Sequence, residues 1–257
     1  MATSGAPPRS GDLALIVGGG PGISASCARL FSANGIKVAI AARNPDKPVL
    51  LALKESLGVA LYGCDASNPA DVDALFRKVE ADLGAPTLVV HNIDGRVAGV
   101  FRKTITELEP AMVLGTITNA AFSAFLVGQQ AARVMIRNQP DTNGVRGTFI
   151  ISNASAALKG FPASSAFAMA CQAKTALAQS MARELMPRGV HVVNVPIDAA
   201  IGWMQDDGSR AHRLAGTTVD DNMADPDRIA EVYLQLHRQH RSTWAFEVAL
   251  RPWVEKW

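Results

Sequence analysis

Short apolar runs alternate with stretches of helical periodicity along most of the chain. The apolar runs, bounded by turn-forming residues, predict buried strands at 13–17, 37–42, 59–63, 87–91, 147–152, 190–195 and 244–250. Apolar positions three and four apart predict helices at 22–34, 49–57, 68–83, 108–138, 163–186 and 225–239. This alternation predicts an α/β fold, a doubly wound and mostly parallel seven-stranded sheet in a three-layer sandwich.

The pattern continues without a repeat, a low-complexity segment or a linker, so we expect a single domain over residues 12–257. Residues 1–11 have no apolar core, and we interpret them as a flexible leader rather than a secretory signal. Residues 197–222 have no clear period and contain several aspartates and glycines. A stretch of that length without regular structure is typically functional, so it is predicted to be a lid over a site.

Composition narrows the possible partners and the compartment. The net charge is only +2 and there is no long basic run, which argues against a nucleic acid partner. The apolar runs are expected to be too short to cross a membrane. Cys27, Cys64 and Cys171 fall inside apparent core elements without metal-ligand spacing, so we expect no metal site. Their odd number suggests a reducing compartment and a cytoplasmic protein.

The first predicted strand breaks into a glycine-rich turn, which is followed directly by the first helix. Glycines let a backbone approach a pyrophosphate closely, and a helix start offers free N–H groups and a positive dipole end. This arrangement predicts dinucleotide binding. The residues predicted to contact the dinucleotide are Gly18, Gly20, Gly22 and Ile23.

The spacing of Gly18, Gly22 and Ser24 resembles the glycine motif of the short-chain dehydrogenase/reductase family, with serine in place of the last glycine. The order of elements resembles that family over residues 12–252. The resemblance implies a Rossmann-type fold and a nicotinamide dinucleotide. It also implies hydride transfer between the nicotinamide and a carbonyl or alcohol carbon.

The end of the second strand commonly decides which nicotinamide dinucleotide binds, because an acidic side chain there bonds a ribose hydroxyl and a basic one accommodates a 2′-phosphate. Arg43 stands at this place and favours NADP(H) over NAD(H); the alternative is a solvated arginine. The resemblance assigns Asp65 to the adenine and Asn92 to the junction of the fourth strand with the cofactor. Asp65 is equally suited to forming a turn.

The family's reaction uses a tyrosine as proton donor, a lysine one helical turn later, a serine for the substrate oxygen and an asparagine in the preceding long helix. The segments 160–162 and 180–185 resemble the family closely and fix the register. In that register the four positions hold Phe167, Cys171, Ala154 and Ala120. None of these side chains is a general acid of the family's kind, and the loss of one typically costs about 10²–10⁴ in rate.

Polar residues close to these positions are Asn119, Ser152, Ser155 and Lys174. Of these, Ser155 and Lys174 are the candidates for catalysis. Lys174 follows Phe167 by two helical turns, and the alternative for it is a solvated or packing lysine. The wider tyrosine–lysine spacing of enoyl reductases does not recover the pair, since it keeps position 171 and moves the tyrosine to Ser164.

Three hypotheses follow. The first is an NADP(H)-dependent oxidoreductase acting on an unknown small molecule, whose proton comes from water, a substrate group or Ser155. The second is a catalytically silent protein that binds NADP(H) or another ligand. The third is a partner subunit for an active homologue. The resemblance also implies a homodimer or homotetramer that packs the helices predicted at 108–138 and 163–186 and the last strand.

Overall fold

A computed structural model of the protein describes residues 11–203 and 223–255. In this part of the chain six parallel strands form one sheet in the order β3-β2-β1-β4-β5-β6. The strands are β1 (Leu13–Val17), β2 (Lys37–Ala42), β3 (Ala60–Gly63), β4 (Leu88–His91), β5 (Gly147–Ala154) and β6 (Val190–Ile197). The helices are α1 (Ile23–Ala33), α2 (Pro48–Leu57), α3 (Pro69–Leu83), α4 (Pro110–Ile117), α5 (Ser123–Met135), α6 (Ser165–Leu185) and α7 (Pro226–His237).

The sheet is buried on both faces, as its nearly continuous apolar strands predict. Successive residues of β1 belong to different cores: Leu15 and Val17 pack against α3, α5 and α6, while Ile16 packs on the side of α1, α2 and α7. The chain therefore folds as the predicted doubly wound α/β sandwich. The strand order reverses between β1 and β4, which places a crevice at the carboxyl ends of these strands.

The predicted seventh strand is only partly formed. Its backbone runs parallel to β6 and pairs with it at two isolated bridges, Asn194 with Glu247 and Ile197 with Leu250. Pro196 lies between these bridges, and its carbonyl accepts a hydrogen bond from the Leu250 amide at 2.8 Å. Proline has no N–H to donate in return. The ladder is therefore interrupted at Pro196, and the sheet has six continuous strands instead of seven.

The helix predicted at 108–138 contains a π-helical turn, Thr118–Phe122, between α4 and α5. Contrary to the expectation from the apolar runs, the combined stretch Pro110–Met135 is long and apolar enough to cross a membrane by length and composition. Residues of its second half, such as Val127 and Met135, pack on the sheet in the core. We therefore interpret this half as a core helix.

Two predictions fall largely outside the described residues. These are the leader, of which only Gly11 is described, and most of the lid. At the described start of the predicted lid, Ile201 lies close to Gly22 and bridges to Ala224. The Gly202 amide donates to the Ala224 carbonyl at 3.0 Å.

Candidate dinucleotide site

The turn after β1 requires glycine at its first position. Gly18 has φ +111°, and a Cβ there would lie 2.2 Å from the carbonyl oxygen of Asn92. The amide N–H groups of Gly18 and Gly19 both donate to the carbonyl of Ala41, at 2.9 and 3.1 Å. The turn is thus fixed between the ends of β2 and β4, with no room for a side chain at Gly18.

The serine that replaces the family's last glycine takes part in holding this turn. The Ser24 hydroxyl donates to the Gly18 carbonyl at 2.6 Å and accepts from the Asn92 side-chain amide at 2.8 Å. Ser24 is fully buried at the start of α1. Asn92, predicted at the junction of strand and cofactor, therefore reaches the turn through Ser24.

A cavity of about 620 Å³ opens at the carboxyl ends of the central strands. It is lined by Val17, Gly18, Gly19, Ala41, Ala42, Arg43, Asn44, Lys47, Cys64, Asp65, Ala66, Ser67, Asn92, Ile93, Asp94, Gly95, Arg96 and Asn119. The structure thus brings four of the predicted cofactor residues, Gly18, Arg43, Asp65 and Asn92, to one cavity.

The other three predicted cofactor residues lie outside this lining. Gly20 has open space where a side chain would be, so its backbone is accessible from outside. Gly22 caps α1, and Ile201 and Trp203 lie close above it. The Ile23 side chain belongs to the buried core, which leaves only its backbone for a ligand. These three residues form the rest of the glycine turn and the start of α1, outside the cavity lining.

Basic side chains stand at the mouth of the cavity beside the end of β2. Arg43 is exposed there, and Lys47 donates from Nζ to the Gly19 carbonyl at 2.9 Å. Sequence reasoning missed Lys47, a second basic residue four positions after Arg43 that immediately precedes α2. Together they give this wall a positive charge suited to a phosphate.

Asp65 stabilises a turn, which was the alternative role that the sequence suggested for it. Its carboxylate accepts from the Ser67 amide at 3.0 Å and the Ser67 hydroxyl at 2.7 Å. These hydrogen bonds lower the pKa of Asp65, and the positive charge of Arg43 adds to the effect. Asp65 still lines the cavity, so the structure is compatible with both assignments.

The positions assigned to the family's proton-transfer residues do not line this cavity, although two of them contact residues that do. Ala120 is buried in the π-helical turn, where it packs against the backbone of Gly95. Cys171 is buried, and Ala154 and Phe167 pack around the same small apolar cluster. Burial raises the pKa of the Cys171 thiol, which argues against this cysteine as a nucleophile.

Lys174, predicted as a catalytic candidate, is almost completely buried beneath the loop after β4. Its Nζ donates to the Ser152 carbonyl at 2.9 Å and lies 3.4 Å from the Ile93 carbonyl. Burial lowers the pKa of Lys174. Its side chain is only 2% exposed and does not line the cavity, so its contact with the cavity wall is the one with the Ile93 carbonyl in this loop.

Ser155, the second catalytic candidate, begins a short 3₁₀ turn, Ser155–Ala157, after β5. Its carbonyl accepts from the amides of Leu158 and Lys159. The residue is half-buried and lies outside the cavity lining. The structure therefore does not bring Ser155 and Lys174 to the cavity.

The guanidinium of Arg96 lies over the ring of Phe167, a contact that the sequence did not predict. Its guanidinium carbon lies 4.4 Å from the centre of the Phe167 ring. Its Nε donates to the Asp94 carboxylate at 2.9 Å. Nothing in the local sequence predicts this contact, because the loop and the helix α6 meet only in the folded chain.

Comparison with known proteins agrees with this geometry. The family model described as enoyl-(acyl carrier protein) reductase matches residues 18–244. The chain is 31% identical over 211 residues to the 3-oxoacyl-[acyl-carrier-protein] reductase MabA of Mycobacterium tuberculosis, covering 82% of this chain and 76% of that protein. It is 29% identical over 185 residues to (21S)-21-acetoxyl-apo-melianone synthase of Melia azedarach, covering 71% of this chain but only 64% of that protein.

Solved structures show the same fold. A short-chain dehydrogenase from Rhodopseudomonas palustris is 28% identical with a TM-score of 0.74, covering 96% of this chain and 100% of that chain. A metagenomic short-chain oxidoreductase in complex with NADP is 23% identical with the same TM-score of 0.74, covering 94% and 97%. The fold, the crevice and the matching family model place the chain in the class of Rossmann-type oxidoreductases. Within it, the chain belongs to the short-chain dehydrogenase/reductase family.

Proposed function

We propose that this chain binds NADP(H) in the cavity beside the glycine turn. We further propose that it transfers hydride to a carbonyl or enoyl substrate without the family's tyrosine–lysine pair. The observation that carries the proposal is the positive wall formed by Arg43 and Lys47 next to the glycine backbone. A 2′-phosphate is the group by which NADP(H) differs from NAD(H), and a guanidinium with a neighbouring ammonium suits it.

The residues present fit this dinucleotide. A side chain at Gly18 would collide with the Asn92 carbonyl, while Gly20 leaves its backbone open, so the turn forms a cradle without side chains. The start of α1 beyond Gly22 has no side-chain cap, which leaves its first N–H groups for a phosphate. When bound, NADPH supplies the hydride, and the protein's own residues bind and orient it.

A second candidate is a catalytically silent NADP(H)-binding protein. The Phe167 ring is covered by Arg96, and Cys171 beside it is a buried thiol whose pKa is raised. Phe167 has no proton to donate, and the Cys171 thiol is buried and does not line the cavity. In the first candidate the proton comes instead from water, from the substrate itself or from Ser155.

The test is a pair of titrations followed by a substrate scan. NADPH and NADH are titrated into the protein while tryptophan and NADPH fluorescence are recorded, and we expect NADPH to bind at least about tenfold more tightly. NADPH oxidation is then followed with carbonyl and enoyl compounds. Turnover supports the oxidoreductase, and NADPH binding without turnover of any compound supports the silent protein. Absence of NADPH binding at millimolar concentration contradicts both.

We further propose a homodimer or homotetramer that packs α4, α5 and α6. Large apolar side chains are exposed on these helices and the π-helical turn between them, including Leu114 at 66% and Met169 at 54% exposure. Phe122 and Phe125 are also exposed, and their rings stack on one another with 6.1 Å between their centres. Such side chains on the surface commonly mark an interface between proteins.

Light scattering after gel filtration tests the oligomer. The wild type is expected at twice or four times the mass of the chain. Leu114→Glu combined with Phe125→Glu is expected to give monomers, because two charges would be buried in the interface. The control Leu51→Glu changes an exposed leucine on α2 and leaves the mass unchanged. A monomeric wild type excludes this proposal.

We also propose a cytoplasmic location, since Cys27, Cys64 and Cys171 are all free and buried. Burial raises the pKa of the Cys64 thiol to about 12, so it stays protonated and unreactive. Cell fractionation tests the location, and recovery of the protein from an oxidising compartment contradicts it.

A further inference from the structure

The guanidinium of Arg96 is held in a fixed orientation at the wall of the cavity. Its Nε donates to both oxygens of the Asp94 carboxylate, at 3.0 and 2.9 Å. The guanidinium carbon lies 4.4 Å from the centre of the Phe167 ring and 5.4 Å from that of Phe101. A carboxylate and two aromatic rings therefore restrain the Arg96 side chain.

The loop that carries Arg96 is also restrained. Gly95 has φ +81°, and a Cβ there would lie 2.4 Å from that of Ala120, so the loop touches the π-helical turn directly. The Ile93 carbonyl lies 3.4 Å from the buried Nζ of Lys174. Because α6 and the π-helical turn both support it, the loop presents Arg96 from a preorganised backbone.

The outer edge of this guanidinium is available to a ligand. Within residues 11–203 and 223–255, Nη1 and Nη2 of Arg96 donate to no protein group. The side chain is 35% exposed and lines the same cavity as Arg43 and Lys47. Two parallel N–H groups on a planar fork match the two oxygens of a carboxylate.

Resting on the proposed function, we propose that Arg96 binds the carboxylate of an acidic second ligand, held beside the dinucleotide. A carboxylate suits the site better than a phosphate, because Asp94 lies against the same guanidinium and opposes a doubly charged group. The guanidinium of Arg96 offers N–H donors to the ligand, so its role is to bind and orient the carboxylate. The substrate class then becomes carbonyl or enoyl compounds that carry a carboxylate.

Calorimetry on the NADPH-saturated protein tests this assignment. The probes are pyruvate, 2-oxobutyrate, oxalate and succinate, with 2-butanone as the uncharged counterpart of 2-oxobutyrate. We expect at least one carboxylate to bind at millimolar concentration and 2-butanone not to bind. Arg96→Gln should weaken carboxylate binding by about 10-fold to 100-fold and leave NADPH affinity within about twofold.

Two further variants keep the result interpretable. Arg96→Lys retains the charge without the fork, so its carboxylate affinity should fall between those of Arg96→Gln and the wild type. Arg102→Gln is the matched control, since Arg102 also lies over the Phe101 ring, at 5.1 Å, but does not line the cavity. Its carboxylate affinity should equal that of the wild type.

Three results overturn the inference while leaving the proposed function in place. They are binding of none of the four carboxylates, equal binding by the wild type and Arg96→Gln, and a parallel loss of NADPH affinity in Arg96→Gln. The last result would show that Arg96 contacts the dinucleotide. Failure of NADPH itself to bind the wild type, measured first, overturns the proposed function together with this inference.

Discussion

Replacing Gly18 with alanine is expected to lower the free energy of unfolding by about 2–5 kcal/mol, combining the cost of a left-handed backbone with that of overpacking. The residue has φ +111°, and the new Cβ would lie 2.2 Å from the Asn92 carbonyl oxygen. Relief requires the turn to move away from the end of β4, which strains the hydrogen bond from the Asn92 side-chain amide to the Ser24 hydroxyl. Chemical denaturation followed by circular dichroism measures the loss.

Variants of two other glycines distinguish an effect on stability from an effect on NADPH binding. A Cβ at Gly20 or at Gly160 meets nothing within 4 Å, and neither residue has a positive φ. The free energies of unfolding of Gly20→Ala and Gly160→Ala should therefore lie within about 1 kcal/mol of the wild-type value. Only Gly20→Ala should also weaken NADPH binding, because its methyl group projects where the cradle meets the dinucleotide. Wild-type stability of Gly18→Ala would show that the turn is not built as described.

Replacing Arg43 with glutamine is expected to weaken NADPH binding by about 10-fold to 100-fold, the range of a charge-assisted hydrogen bond to phosphate. NADH affinity should change by less than about threefold, because NADH has no 2′-phosphate. Fluorescence titration of both dinucleotides gives the ratio. Lys47→Gln should have a smaller effect in the same direction, since Lys47 already donates to Gly19.

Arg77→Gln is the matched control for the Arg43 variant. Arg77 lies on α3 and its side chain is 73% exposed, paired with Asp73 outside the cavity lining. Its removal should leave both affinities at the wild-type values. If Arg43→Gln lowers the NADPH and NADH affinities equally, Arg43 does not recognise the 2′-phosphate and the preference for NADP(H) loses its basis.

The architecture was predictable because its determinants are local. Apolar runs and helical periodicity located the six continuous strands within a few residues, and the glycine spacing located the turn that Gly18 forms. The seventh strand was predicted from its apolar pattern alone. Its ladder depends on the partner strand, where Pro196 cannot donate, and the pattern of one strand carries no information about its neighbour.

The spacing of apolar residues on α6 indicates that Lys174 is buried, although lysines are usually solvated. Cys171, Lys174 and Ala178 follow one another by three and four residues on α6 and share its buried face. A lysine on such a face requires polar partners, which here are carbonyls at the ends of β4 and β5. Those partners are distant in sequence, so only the folded chain identifies them.

The contacts of Arg96 could not be predicted from the sequence. They join the loop after β4 to Phe167 on α6, and no local pattern predicts which side chains meet across two elements. The same limit applies to the contact of Lys47 with Gly19, which lies in the turn after β1, 28 residues earlier in the chain. The register that leaves positions 120, 154, 167 and 171 without proton donors stays a prediction.

The most direct test of the central claim is displacement of NADPH by fragments of its adenosine half. The described cavity extends from the glycine turn to Arg43 and Asp65, so it should hold that half of the dinucleotide. NADPH bound to the wild type is followed by its fluorescence while adenosine 2′,5′-bisphosphate or AMP is added. The bisphosphate should displace NADPH at concentrations at least about tenfold lower than AMP. Equal displacement by both fragments, or no NADPH binding at all, would contradict the account.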